Sequence, residues 1–234
     1  MPTFGIIAKG VSDQSVIRNI LSGYFGKDQT FVNPVQPLPM AGSPAKWTRV
    51  LHCLTQREPE EALQFNDFLV IHIDTDIQEE KGFDVPRRES GNELSIAERV
   101  DRVINRLMRD MDAELLFTDR QRLLFAISVD SIECWLLPLF ANDKQAAKTT
   151  GCQKAADAAL RKKGMDGLSD GETKFPLAYQ WASHEYTKRN VLLEKGRKNP
   201  SLEIFLTRLQ QLQVSMAPAV DGSTPDAAIG NPPS

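Results

Sequence analysis

Apolar and polar positions along this chain follow two periods, and the switches between them mark its elements. Phe4-Gly-Ile-Ile-Ala8 is a short apolar run broken at Lys9-Gly10, which predicts a first strand. Val16, Ile17, Ile20, Leu21 and Tyr24 then recur at helical spacing, with Ser12 or Asp13 as cap and Gly26 just past the end. Thr30 to Asn33 is a second strand, and Pro34 to Pro44, with four prolines, predicts loop. Trp47, Val50, Leu51 and Leu54 make an amphipathic helix closed by Glu58-Pro59. Phe68 to Ile73 is a third strand, Glu93 to Met111 a long helix, Arg122 to Val129 a fourth strand, and Ile132 to Phe140 a short, very apolar helix. Beyond residue 144 only helical patterns follow, at Cys152–Lys163, Phe175–His184 and Ser201–Leu212, with a glycine-rich polar loop at Asp166–Thr173.

Strands alternating with helices predict an α/β fold with a mainly parallel sheet flanked by helices. The expected organisation is an α/β core over residues 1–143, a helical extension packed on it over 144–213, and a disordered tail over 214–234.

The third strand, Phe68-Leu-Val-Ile-His-Ile-Asp-Thr-Asp76, ends in two carboxylates. Strand alternation puts Asp74 and Asp76 on one face at the carboxyl end, where open α/β sheets bind ligands. Two like charges so close call for a cation between them, and oxygen ligands suit Mg²⁺ or Mn²⁺. The plain alternative is an Asp-x-Asp that closes a strand and caps the next turn. Three other places carry chemistry. At Lys9-Gly10-Val-Ser-Asp13, Gly10 and Asp13 would shape a tight turn whose amide groups hold an anion, unless it is an ordinary strand-to-helix turn. Glu133 precedes Cys134-Trp-Leu-Leu137 and needs a metal or a basic partner if the helix is buried, or else simply favours a helix start. The charged stretch Gln78 to Asn92 reads as a substrate-contacting flap using Arg87 and Arg88, or as an exposed connector. His72 is a core or near-site residue, and no phosphate-binding Walker loop is present.

The net charge of −3 hides a division. Residues 1–143 hold 15 Lys and Arg against 22 Asp and Glu, whereas residues 144–212 hold 13 against 7. A basic third beside an acidic site could steer a phosphate backbone, though solvated helix faces produce the same runs. Three scattered cysteines, Cys53, Cys134 and Cys152, fit a reducing cytosol and argue against a disulfide framework or a zinc site. With no signal peptide and no apolar run long enough for a bilayer, the expectation is a soluble cytoplasmic protein without a membrane partner.

Taken in register, the first-strand turn, Asp74-Thr-Asp76 and Ile132-Glu-Cys-Trp-Leu-Leu137 resemble a Toprim-type domain, the catalytic fold of primases, topoisomerases and OLD-type nucleases. The last motif, with Lys198-Asn-Pro-Ser-Leu-Glu-Ile-Phe205, is similar to RloB-type proteins of bacterial anti-phage defence, and the similarity spans residues 4–212. The resemblance implies a Mg²⁺- or Mn²⁺-dependent nuclease acting on DNA or RNA, tRNA included, with Asp74, Asp76 and Glu133 as metal ligands. It also implies a partner ATPase and leaves a homo-oligomer open. The chain departs from the pattern at Lys9, which stands where the family has its catalytic glutamate. A lysine cannot ligate the metal, so an inactive relative or a non-catalytic module binding a partner such as an ATPase competes with the nuclease. A nucleotide-sugar transferase also uses Asp-x-Asp, but leaves the Glu133 motif unexplained.

Overall fold

The strands are β1 (Thr3–Ile7), β2 (Phe31–Gln36), β3 (Phe68–Asp74), β4 (Arg88–Glu89), β5 (Asn92–Glu93), β6 (Leu123–Ser128), β7 (Ser169–Asp170) and β8 (Thr173–Lys174). The helices are α1 (Val11–Phe25), α2 (Trp47–Leu54), α3 (Glu58–Phe65), α4 (Ile96–Met108), α5 (Ala113–Thr118), α6 (Glu133–Phe140), α7 (Asp143–Ala146), α8 (Cys152–Lys162), α9 (Pro176–Ala182), α10 (Arg189–Lys195) and α11 (Pro200–Met216). This computed structural model describes residues 1–37, 46–170 and 173–216. The expected tail and most of the proline-rich stretch therefore lie outside the described residues.

Four apolar runs pair in parallel in the order β2-β1-β3-β6, giving the α/β sheet that the pattern predicts. Side-chain alternation splits each strand between two cores. Phe4, Ile6, Val70, Leu124 and Ala126 face a core built with α1, α6, α8 and α11. Ile7, Leu69, Ile71, Ile73, Phe125 and Ile127 face a second core with α2, α3 and α4. α1 lies so close to the 184–187 turn that a Cβ on Gly23 would sit 1.8 Å from the Tyr186 carbonyl oxygen. Because the chain leaves β1 for one side and returns to pair β3 on the other, the β1–β3 boundary is the sheet's switch point. There the loops leaving two adjacent strands part and open a crevice.

Several expected boundaries move. β2 runs through Pro34, which an edge strand tolerates because its outer side needs no donor. Glu58-Pro59 does not close a helix but opens α3, where the missing proline N–H costs nothing. α4 starts at Ile96, behind a capping box of Ser95 and Glu98. The cap of α1 is Gly10 rather than Ser12 or Asp13, and its φ of −154° is extended backbone open to any residue. The 78–92 segment is no free flap, because Phe83 and Val85 are buried in the second core and Arg106 ties down the Gly82 and Phe83 carbonyls. The predicted 166–173 loop contains the first strand of the β7–β8 hairpin.

The cysteine expectation is overturned. Cys134 and Cys152 are bonded to each other, joining the start of α6 to the start of α8, and only Cys53 is free. The reducing-compartment argument from cysteine count fails, since disulfides persist in oxidising surroundings. No helix among the described residues is long and apolar enough to cross a membrane.

Candidate functional site

The switch point gathers residues from several elements. β1 ends into Lys9, and β3 delivers Asp74, which pairs in register with Ser128 of β6. Asp76 lies beyond the strand, in a 3-10 turn over Thr75–Ile77, so turn geometry rather than strand alternation brings it near Asp74. Arg99 and the backbone of Asp130 hold that turn: Arg99 donates to Thr75 Oγ1, and the Asp76 N–H donates to the Asp130 carbonyl. Asp130 itself adopts φ +70°, a conformation open to a short polar residue. Arg87 donates to the Asp76 carbonyl at 3.0 Å and so positions the turn backbone. Arg88 is exposed and bonds Glu93, away from these groups.

The centre is an ion-pair cluster. Lys9 Nζ lies 2.5 Å from Asp74 Oδ2 and 3.6 Å from Asp76 Oδ2, while Asp74 is fully buried. Asp74 Oδ1 accepts from the Ser128 hydroxyl, and His72 lies 3.6 Å from the same oxygen. A second cation arrives from the β7–β8 hairpin: Lys174 Nζ is 2.9 Å from Glu133 Oε1 and 3.6 Å from Asp13 Oδ1. Tyr179 of α9 donates to Glu133, which gives this buried carboxylate the basic and polar partners that its sequence position demands. Asp13 faces Lys174 instead of shaping an anion loop, and its Oδ1 has no hydrogen bond among the described residues.

Burial presses both lysines to lose their protons, but the carboxylates outweigh it and hold both ammoniums above the ordinary lysine range. Burial likewise opposes ionisation of Asp74, yet Lys9 keeps it well below the usual carboxylate range. Burial opposes ionisation of Glu133 too, and Lys174 pulls its pKa down. Asp76 differs: burial and the Asp74 charge push it up to about 6. A carboxyl raised in the folded state contributes stability below its unfolded value and loses it as pH rises through the folded one. Ionising Asp76 should therefore erode stability between about pH 4 and 6. Asp76→Asn, which never ionises, should gain about 1 kcal/mol on the wild type across that window, allowing for screening of this half-exposed group. Urea denaturation at pH 4 and pH 7 measures it, and an equal effect at both would refute the assignment.

A Mg²⁺ or Mn²⁺ ion does not fit this arrangement. Each oxygen of Asp74 already faces Ser128 or Lys9, and Glu133 is held by Lys174 and Tyr179. Among the described residues, the carboxylates of Asp74, Asp76 and Glu133 do not converge as a ligand set. The one grouping within 4.8 Å is Asp130 with Cys134 and Cys152, whose sulfurs are bonded together. The cleft over the cluster encloses about 730 Å³ and is bordered by Lys9, Gly10, Asp13, Lys46, Trp47 and Lys174. Among the described residues around it, three ammoniums stand against five carboxylates, counting Glu80, Asp13, Asp74, Asp76 and Glu133, so the balance does not attract a phosphate backbone.

Sequence patterning missed Lys174, Tyr179 and Ser128. Ser128 was legible as the register partner of a strand-end aspartate. Lys174 and Tyr179 come from the C-terminal region and carry no local signal. No family model, no curated protein and no solved structure matches this chain.

Proposed function

We propose that this chain is a non-hydrolytic relative of the Toprim-like nucleases that acts by binding a partner protein. One observation supports the reading above all: the Lys9 ammonium bridges Asp74 and Asp76, where a dication would have to sit. An internal cation at 2.5 Å from a buried carboxylate is always present at local strength, whereas a metal would have to displace it against charge repulsion. The order of motifs along β1, β3 and α6, meeting at one switch point, supports the shared ancestry. The charge balance of the cleft favours a protein partner over nucleic acid, and the partner class implied by the resemblance is an ATPase.

Thermal unfolding with millimolar Mg²⁺ or Mn²⁺ tests this, because a ligand bound only by the folded state raises stability by mass action. The wild type should show no metal-dependent shift and no cleavage of DNA, RNA or tRNA. Lys9→Glu restores the family's residue, so its melting temperature should rise with Mn²⁺, with metal-dependent cleavage appearing. Metal uptake and cutting by the wild type would overturn the reading. A Lys9→Glu protein indifferent to metal would remove the proposed ancestry.

A further inference from the structure

The excess of Lys and Arg over residues 144–212, 13 against 7 acids, is left unused by the ion-pair cluster, which takes only Lys174 from it. The same region holds a concentration of exposed apolar side chains. Nine large ones are exposed among the described residues, and three of these, Phe175, Leu177 and Trp181, fall within one short stretch. Single exposed apolar residues are ordinary, but a cluster marks a contact surface. Leu177 and Trp181 stand one turn apart on α9, 78% and 57% exposed, while Tyr179 between them turns inward to Glu133.

The outer face of α9 borders a cavity of about 360 Å³ walled by Leu160, Met165, Leu168, Leu177, Ala178 and Trp181, with exposed Asp166 as the one charged residue lining it. The end of α8 supplies the opposite charge. Arg161, Lys162 and Lys163 lie along the chain between Leu160 and Met165 of the cavity wall, and all three are exposed. Lys163 is turned over the Phe140 ring. Arg161 and Lys162 take part in no ion pair among the described residues.

We infer that the outer face of α9, with the end of α8, is a docking surface for an acidic amphipathic helix of a partner protein. A helix satisfies its own backbone, which suits a cavity whose apolar walls offer an extended chain no hydrogen bonds. Its apolar side chains pack beside Trp181, a residue type enriched among interface hot spots, and its carboxylates face Arg161 and Lys162. A nucleic-acid strand fits less well, because it stacks successive bases on aromatic rings and only Trp181 of the cavity wall is aromatic. The inference rests on the partner-binding reading proposed above and narrows the partner's chemistry. Its experiment leaves Lys9 untouched, so failure here removes this surface alone, whereas metal-dependent cutting by the wild type removes the reading beneath it.

The test is selection of randomised helical peptides on phage against the full-length protein, with the affinities of enriched sequences then measured in solution. Sequences with apolar residues at i and i+4 and Asp or Glu on the flanks should emerge. Trp181→Ala, at an exposed position and so expected to keep the wild-type melting temperature, should weaken them about tenfold. Arg161→Gln with Lys162→Gln should weaken them about fivefold at low ionic strength and less in high salt, which screens exposed charges. The inference falls if nothing enriches, if the enriched peptides lack acids, or if either variant binds them unchanged. Self-association of the wild type that Trp181→Ala abolishes would assign the surface to a second copy. Peptides that bind only after Val220→Asp with Ile229→Asp would assign it to the chain's own C-terminal segment. Single-stranded DNA that binds the wild type but not Trp181→Ala, with no peptide bound, would assign it to nucleic acid. Each of these outcomes overturns the inference.

Discussion

Replacing Lys9 with methionine should destabilise the protein by about 3–5 kcal/mol at pH 7, because it leaves Asp74 as a buried charge without its cation. Methionine keeps the apolar stem, so the loss isolates the ammonium. The pH dependence should also reverse. In the wild type Asp74 is held below the usual carboxylate range, so its contribution is present above its unfolded pKa and fades as pH falls through the lower, folded one. Without Lys9, burial, the largest influence on Asp74, outweighs the more distant Lys174 and lifts Asp74 above its unfolded value, so stability is lost as pH rises. Denaturation of both proteins at pH 4 and pH 7 checks the crossing. A Lys9→Met protein within 1 kcal/mol of wild type at pH 7, roughly the worth of an exposed pair, would show that the pair is solvated rather than buried.

Trp135→Ala should cost a similar 3–5 kcal/mol, the range for truncating a buried aromatic. Trp135 is fully buried, stacks on Phe205 with ring centroids 5.6 Å apart, and donates from Nε1 to Ser201 at 2.8 Å. Its removal opens a cavity between α6 and α11 and strips the donor from a buried hydroxyl that also accepts from the Val129 N–H. Trp135→Phe keeps most of the volume and should lose only about 1–2 kcal/mol through the missing hydrogen bond. Urea midpoints for the two variants separate cavity from hydrogen bond. Equal losses would mean that the cavity contributes nothing. Within the Glu133-Cys-Trp-Leu-Leu137 element, Trp135 thus belongs to the core and Glu133 to the site.

Local pattern carried much of the fold. The four strands are legible because apolar β-prone runs end at Lys9-Gly10, at the Asp74 turn and before Asp130, and the amphipathic α4 is legible from Val100, Val103, Ile104 and Leu107. α3 and the β7–β8 hairpin escaped, the first hidden by a proline that reads as a stop, the second by a stretch too short for any period. The disulfide escaped because cysteine spacing says nothing of spatial proximity.

The same division runs through the site. Sequence alone determined that Asp74 stands at a strand end with Asp76 just past it, that Glu133 stands at a helix start, and that Lys9-Gly10 breaks the first strand, since those are properties of neighbours along the chain. Only the tertiary structure decided what they do to one another. Switch-point topology sets Lys9 against Asp74, and a hairpin about a hundred residues downstream brings Lys174 to Glu133 and Asp13. The physical reason is that charge interactions depend on distance and burial, which folding sets and sequence order does not. The carboxylates look like a metal site in the sequence; in the folded protein Asp74 and Glu133 are paired with its own lysines.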